Sequence, residues 1–272
     1  PATSPRAPER THMNQKFRRI LLITRLTLRL ELSMIVPLLT LAAVPLVIMS
    51  LLRDTFAASL HIVEGYGQAN GAEVIVPGQA ATFAFISMSH LGVLHFGDQT
   101  WGTSDRVRSC MRPSEFVLGR TLAWAVHCFV LLAMLVGGAH LVLGLPLPAS
   151  HLALLCLVLA TISAAIGFAW MVFNLSRSTA VVDAGCIGGG LVMSVLGGAI
   201  IPYALLPDLV QDLSPISPVY WALRGFRKVF LDDAGLSAVG SELGVLACFA
   251  VLFGILATLC WNPERAVTGF AK

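Results

Sequence analysis

Apolar residues run through this chain in long stretches, and the few charged residues between them mark where each stretch stops. Glu31 and Arg53 enclose 21 uncharged residues, Glu73 and Asp98 enclose 24, Asp183 and Asp208 enclose 24, and Glu242 and Glu264 enclose 21. A helix needs about 20 residues to cross the hydrocarbon of a bilayer. The 56 uncharged residues between Arg120 and Arg177 are broken by Gly144-Leu145-Pro146-Leu147-Pro148-Ala149-Ser150, so they read as two helices and a turn. The pattern predicts six spans, at about 32–52, 74–97, 121–143, 151–173, 184–201 and 243–261.

Around the spans the pattern changes. The Pro-rich, polar segment 1–13 predicts an unstructured arm. Over 14–30, Phe17, Leu21, Thr24 and Leu28 share one helical face, and Arg18, Arg25 and Arg29 share another. Such a basic amphipathic helix suits the headgroup plane of an anionic membrane; the plainer reading is a helical extension of span one carrying orientation charge. After span two, Thr103 or Ser104 is placed to cap a short helix starting near Asp105, with Pro113 stopping it and Ser114 capping the next. That loop reads either as a docking element or as a solvated turn.

Residues 202–240 combine prolines, acids and aromatics, and within them Val219, Leu223, Phe226 and Phe230 form a helical apolar stripe. In span five Gly185, Gly189 and Gly197 recur at multiples of four. This spacing lets helices approach closely, and packing within one chain is favoured over a dimer seam or a hinge. Asp183, at the start of that span, reads as a cap favoured by the helix dipole.

Composition narrows the class. The chain is 56% hydrophobic and 12% charged, with mean hydropathy +0.80, against about 25% charged in ordinary soluble domains. A soluble enzyme, a disordered chain and a disulfide-stapled secreted domain are excluded. Cys110, Cys128, Cys156, Cys186, Cys248 and Cys260 form no CxxC pair, and five of them fall in apolar stretches, as packing thiols do.

Fourteen of the eighteen Lys and Arg residues lie in the N-terminal arm, the loops after spans two and four, and the C-terminal tail. The positive-inside bias therefore predicts that both termini are cytoplasmic, leaving only Arg53, Arg224, Arg227 and Lys228 outside. The net charge of +3 is orientation charge and needs no nucleic-acid partner. Arg outnumbers Lys 15 to 3, a composition associated with GC-rich bacteria.

Candidate chemistry is sparse. A phosphate-cradling Walker A loop needs Gly-Lys-Ser/Thr; of Lys16, Lys228 and Lys272, none follows Gly and none precedes Ser or Thr. The sequence thus predicts no Walker A ATPase site, and no Gly-x-Ser-x-Gly nucleophile sits on a span. His127 and His140 are 13 apart in span three, a spacing compatible with stacked haem ligands, but His90 and His95 in span two are only five apart and supply no matching pair.

The order of features is more telling than any one of them. An amphipathic helix and an apolar hairpin are followed by Asp98, Gly102 and Thr103, a basic patch, Pro113, and Gly119-Arg120 opening span three. This order resembles the ABC-2 type exporter permeases, nearest in length to drug-resistance membrane subunits of the daunorubicin-exporter type. Ser214-Pro215-Ile216-Ser217-Pro218-Val219-Tyr220-Trp221-Ala222-Leu223-Arg224-Gly225-Phe226 is similar to that family's segment between spans five and six. The resemblance covers roughly residues 14–265.

It implies an all-α membrane domain over 14–272: six spans, an interfacial helix (Phe17, Arg18, Leu21, Arg25, Arg29) and an external re-entrant segment (Pro215, Pro218, Tyr220, Trp221, Gly225). It also implies a loop that couples to an ATPase through Asp98, Trp101, Gly102, Thr103, Asp105, Arg106 and Arg108. Partners would be two ATPase subunits, which hold the ATP and Mg, and a second permease, identical or homologous; this chain would carry no cofactor. Cargo would be an amphipathic drug, antibiotic or lipid, moved across the bacterial cytoplasmic membrane by alternating access. Polysaccharide or glycolipid export competes, although stacking aromatics are moderate here (Phe83, Phe85, Trp124, Phe129, Phe168, Trp170) and absent from span one. A membrane haem protein and a non-transporting scaffold are the readings from other classes.

Overall fold

The computed structural model describes residues 7–33, 35–61, 69–100, 112–176 and 178–260, which form helices joined by turns, with no strand among them. In chain order these are α1 (Ala7–Ser33), α2 (Ile35–Ser59), α3 (Ala72–Thr100), α4 (Pro113–Leu143) and α5 (His151–Leu175). There follow α6 (Thr179–Asp183), a π-helical turn (Ala184–Gly188), α7 (Gly189–Leu196), α8 (Asp208–Leu213), α9 (Pro218–Leu231) and α10 (Gly240–Leu259). Among the described residues six stretches are long and apolar enough to cross a membrane: Leu39–Ser59, Ala72–Leu94, Ser114–Leu143, His151–Leu175, Thr179–Leu196 and Leu236–Leu259. The protein is an all-α membrane protein.

Several boundaries differ from the charge-based expectation, and each difference has a local cause. α1 begins at Ala7, inside the segment expected to be an unstructured arm. Pro113 opens α4, and the short helix expected to start near Asp105 lies outside the described residues. The first helical position has no use for an amide hydrogen, so Pro fits there. Glu115, not Ser114, completes this start by accepting the Arg112 amide at 3.3 Å. α4 ends where Gly144 adopts φ 64, a left-handed cap that glycine takes without strain. Span five starts at Thr179 instead of 184, because Ser178 caps it by accepting the Val181 amide at 3.3 Å. Asp183 is consequently not a cap: it lies within the span, and its carboxylate accepts the hydroxyl of Ser89 on α3.

α3 is the hub of the bundle. Its span is 89% buried, whereas the other five are 22–50% buried. It packs on α2, α4, α5, α6, the π turn, α7 and α9. The most extensive pairing is α5 with α10. Gly167 permits it, since a Cβ there would come within 3.0 Å of the Ala250 carbonyl. The span-five glycines meet partners within the chain: Gly189 faces the Phe168 ring, and Gly190 faces Phe85 and Ile86.

Two ends of the bundle can be told apart. At one, α1 meets the start of α4. At the other, Asn70 donates to the Gly144 carbonyl at 3.2 Å, and the Ala149 amide donates to Asp233 at 3.3 Å.

Candidate functional sites at the two ends of the bundle

At the first end α1 runs alongside the opening turns of α4. Arg19 reaches Glu115 at 3.5 Å, an offset of 96 residues, and Glu31 reaches His127 at 3.1 Å with the same offset of 96. Between these pairs the Thr24 hydroxyl lies 3.0 Å from both the Ile20 and the Gly119 carbonyls. A Cβ on Gly119 would approach Ile23 to 2.7 Å. A constant offset means that the helices are parallel and in register, here over about three turns.

The face of α1 that packs on α4 carries Ile23, Thr24, Thr27 and Glu31, all buried. It lies opposite Arg18, Arg25 and Arg29, which are exposed. Phe17, 62% exposed, and Leu21 stay outside this seam, so of the face read from the sequence only Thr24 is buried on protein, with Leu28 half-buried. The periodic signal for the true seam was present as Ile23-Thr27-Glu31 at i, i+4, i+8, but an acid in that series reads as a span boundary.

Glu31 and His127 form the deepest polar contact of the seam, each side chain no more than 6% exposed. Glu31 Oε1 and His127 Nε2 have no hydrogen-bond partner among the described residues. Buried polar atoms of this kind are costly and uncommon in native folds. Arg120 on α4 and His90 on α3 are within electrostatic range of Glu31, and Asp183 is within range of His90. The Arg120 guanidinium also sits 5.0 Å from the Phe116 ring centre. One group of charged and titratable side chains therefore draws on α1, α3, α4 and α6. His140, the other histidine of α4, contacts the Leu145 carbonyl at 2.7 Å through Nδ1.

Of the loop residues expected to couple to an ATPase, Asp98 lies in the last turn of α3. Trp101, Gly102, Thr103, Asp105, Arg106 and Arg108 lie outside the described residues.

At the second end, α8, a 3₁₀ turn (Ser214–Ile216) and α9 form a compact helical insertion. Pro218 opens α9, and Ser217 caps it by accepting the Val219 amide at 3.2 Å. The Ser217 hydroxyl also donates to the Met193 carbonyl at 2.6 Å, tying α9 to α7. The expected stripe is buried: Val219, Leu223, Phe226 and Phe230 are all under 9% exposed, against α3, α5, α7 and α10. Gly225 allows this closeness, since a Cβ there would lie 2.6 Å from Leu157. Trp221 Nε1 donates to the Pro215 carbonyl at 2.9 Å, and its ring meets Tyr220 edge-on at 5.5 Å. Pro215, Pro218, Tyr220, Trp221 and Gly225 thus belong to one structural unit.

The opposite face of α9 is charged. Glu242 of α10, fully buried, accepts Lys228 Nζ at 2.8 Å and Arg224 Nε at 3.2 Å on Oε1, and the Ser241 hydroxyl at 2.9 Å on Oε2. The Arg224 guanidinium lies 5.4 Å from the Trp221 ring centre, a cation–π contact that orients it. Gly197, Tyr203, Tyr220, Leu223, Arg224, Arg227, Lys228 and Asp232 line a cavity of about 230 Å³. Burial, and then the neighbouring Tyr220, hold the Tyr203 phenol above its ordinary value, so it is a neutral hydroxyl in the physiological range. Glu242 went unnoticed in the sequence because an acid at the edge of an apolar run reads as a span boundary.

Comparison with known proteins follows the same lines. The family model described as ABC-2 type transporter matches residues 22–231. No curated protein matches the chain.

Proposed function

This chain belongs to the ABC-2 type transporter family, and from that premise we propose that it is the membrane subunit of an ATP-driven exporter of amphipathic drugs, antibiotics or lipids. The ATPase is a separate subunit, in keeping with the absence of Gly-Lys-Ser/Thr from the sequence. Two permeases, identical or homologous, form the pathway, and two ATPases drive it. Both termini and the 98–120 segment lie on the cytoplasmic side of a bacterial cytoplasmic membrane in this reading, and 202–240 outside, which the charge bias of the loops supports.

One observation carries the coupling step: α1 is held to α4 in register from Arg19–Glu115 to Glu31–His127. An ATPase that closes against α1 and the 98–108 loop therefore moves α4 with α1 as a unit. Through His90 and Asp183 the same polar group adjoins α3 and α6, so the displacement reaches the hub helix and span five. Outward opening then requires α9, packed on α3, α5, α7 and α10, to shift with them.

The test is co-expression with a candidate ABC ATPase subunit from the same genome, followed by reconstitution. The expected outcome is co-purification and an ATPase rate that changes when the permease is present. An isolated, uncontaminated chain that hydrolyses ATP, or an ATPase indifferent to the permease, would contradict the reading; indifference would favour a non-transporting scaffold.

A further inference from the structure

We propose that the α9 cavity is a binding site for a phosphate-bearing headgroup. The inference rests on the outward placement of 202–240 in the reading above and names a chemistry that reading leaves open.

Four basic residues fall on the side that the charge bias makes external: Arg53, Arg224, Arg227 and Lys228. Bases are rare in such segments, and a cluster of them needs a reason. Arg53 donates through Nε to the Asn70 carbonyl at 3.1 Å and lies apart. The other three line one cavity on one face of one helix. In sequence they look like scattered loop charges; the fold makes them converge.

Two of the three share one partner, and the way they share it suits an anion. The buried Glu242 carboxylate is shared by two cations, Arg224 and Lys228, so that group keeps a net positive charge and a fixed geometry. Arg224 engages Glu242 through Nε and lies over the Trp221 ring, and its side chain is still 48% exposed, so nearly half of it is open to the surroundings. Guanidinium forks match phosphate oxygens in pairs. The Tyr203 and Tyr220 hydroxyls add neutral hydrogen-bonding groups at the same wall.

Asp232 lines the cavity, and Asp212 lies within electrostatic range of Tyr203. With these acids beside the bases, the site fits a singly charged or zwitterionic phosphodiester better than a polyanion. Its volume of about 230 Å³ is below the range of about 300–1,000 Å³ that encloses whole drug-sized ligands. A headgroup entering with its acyl chains left in the surrounding lipid fits that size.

The test uses the full chain, purified in detergent, with equilibrium binding measured for three probes: dihexanoyl-phosphatidylcholine, dihexanoylglycerol and inorganic phosphate. The expected result is saturable binding of the phospholipid, with the phosphate-free dihexanoylglycerol weaker by about tenfold or more, as loss of a charged hydrogen bond requires. Competition by inorganic phosphate in the same concentration range identifies the free anion as ligand; competition only at far higher concentration identifies the lipid headgroup.

Arg227→Gln should weaken phospholipid binding by about tenfold or more, and Arg227→Lys should recover most of it. Should Arg227→Gln fail to fold, Tyr203→Phe combined with Tyr220→Phe removes two hydroxyls without removing charge and should weaken binding severalfold. Equal binding of dihexanoylglycerol, or unchanged affinity in the folded variants, overturns the proposal. Binding is read without the ATPase. A chain that binds but does not transport therefore loses the exporter reading and keeps this one; a chain that transports but does not bind does the reverse.

Discussion

Glu31 and His127 show what a single buried pair asks of its surroundings. Removing one partner leaves the other buried without its hydrogen bond, a loss of about 1–3 kcal/mol for an unsatisfied buried polar group. Replacing both with apolar side chains removes the stranded group as well. Glu31→Ala or His127→Ala alone should therefore lower the thermal unfolding midpoint in detergent markedly, whereas Glu31→Leu with His127→Leu should recover much of the loss. Additive losses in the double variant would show that the pair is not the unit that matters. Glycines divide the same way. Gly197→Ala would place a Cβ 2.8 Å from the Tyr220 backbone nitrogen, which has little room to yield, while a Cβ on Gly244 meets nothing within 4 Å. Gly197→Ala should destabilise; Gly244→Ala should be neutral or gain up to about 1 kcal/mol from helix propensity. Unfolding curves of the two variants side by side decide this.

At the scale of elements, the α1–α4 seam is the joint on which the proposed coupling turns. Gly119→Val would drive side-chain atoms into Ile23, already 2.7 Å from a bare Cβ. ATP hydrolysis by the partner should then lose its dependence on the permease while the chain still inserts, and Ile23→Gly, which removes the opposing Cβ, should restore part of it. Reversing Arg106→Glu with Arg108→Glu should lower export and ATPase response together while cargo binding in detergent changes little. Wild-type export by that variant would move the transmission role to α1 alone.

These joints were only partly legible in the sequence. Six apolar stretches were, because lipid-facing spans exclude charge. The α9 stripe was too, because an amphipathic helix buried on one side keeps its period. Boundaries failed where a charge is satisfied inside the bundle: Asp183 by Ser89, Glu31 by His127, and Glu242 by Lys228 and Arg224. Each partner lies at least 14 residues away along the chain, beyond what a local pattern can reveal. The central place of α3 was equally hidden, since its apolar run resembles the others while its surroundings do not.

At the scale of the whole molecule, five of the six spans found among the described residues have no more than half of their most apolar stretch buried within the chain. Leu22, Leu26 and Leu30 on α1 are likewise exposed. In the function proposed above, lipid and a second permease cover those faces. The most direct measurement reconstitutes the chain with its ATPase in proteoliposomes and follows a fluorescent phospholipid analogue between leaflets while ATP hydrolysis is recorded. The expected result is ATP-dependent, directional movement of the analogue, with hydrolysis that rises with the permease and movement that stops when Gly119→Val breaks the seam. Hydrolysis indifferent to the permease, with no movement of the phospholipid analogue or of any amphipathic drug tested beside it, would contradict it.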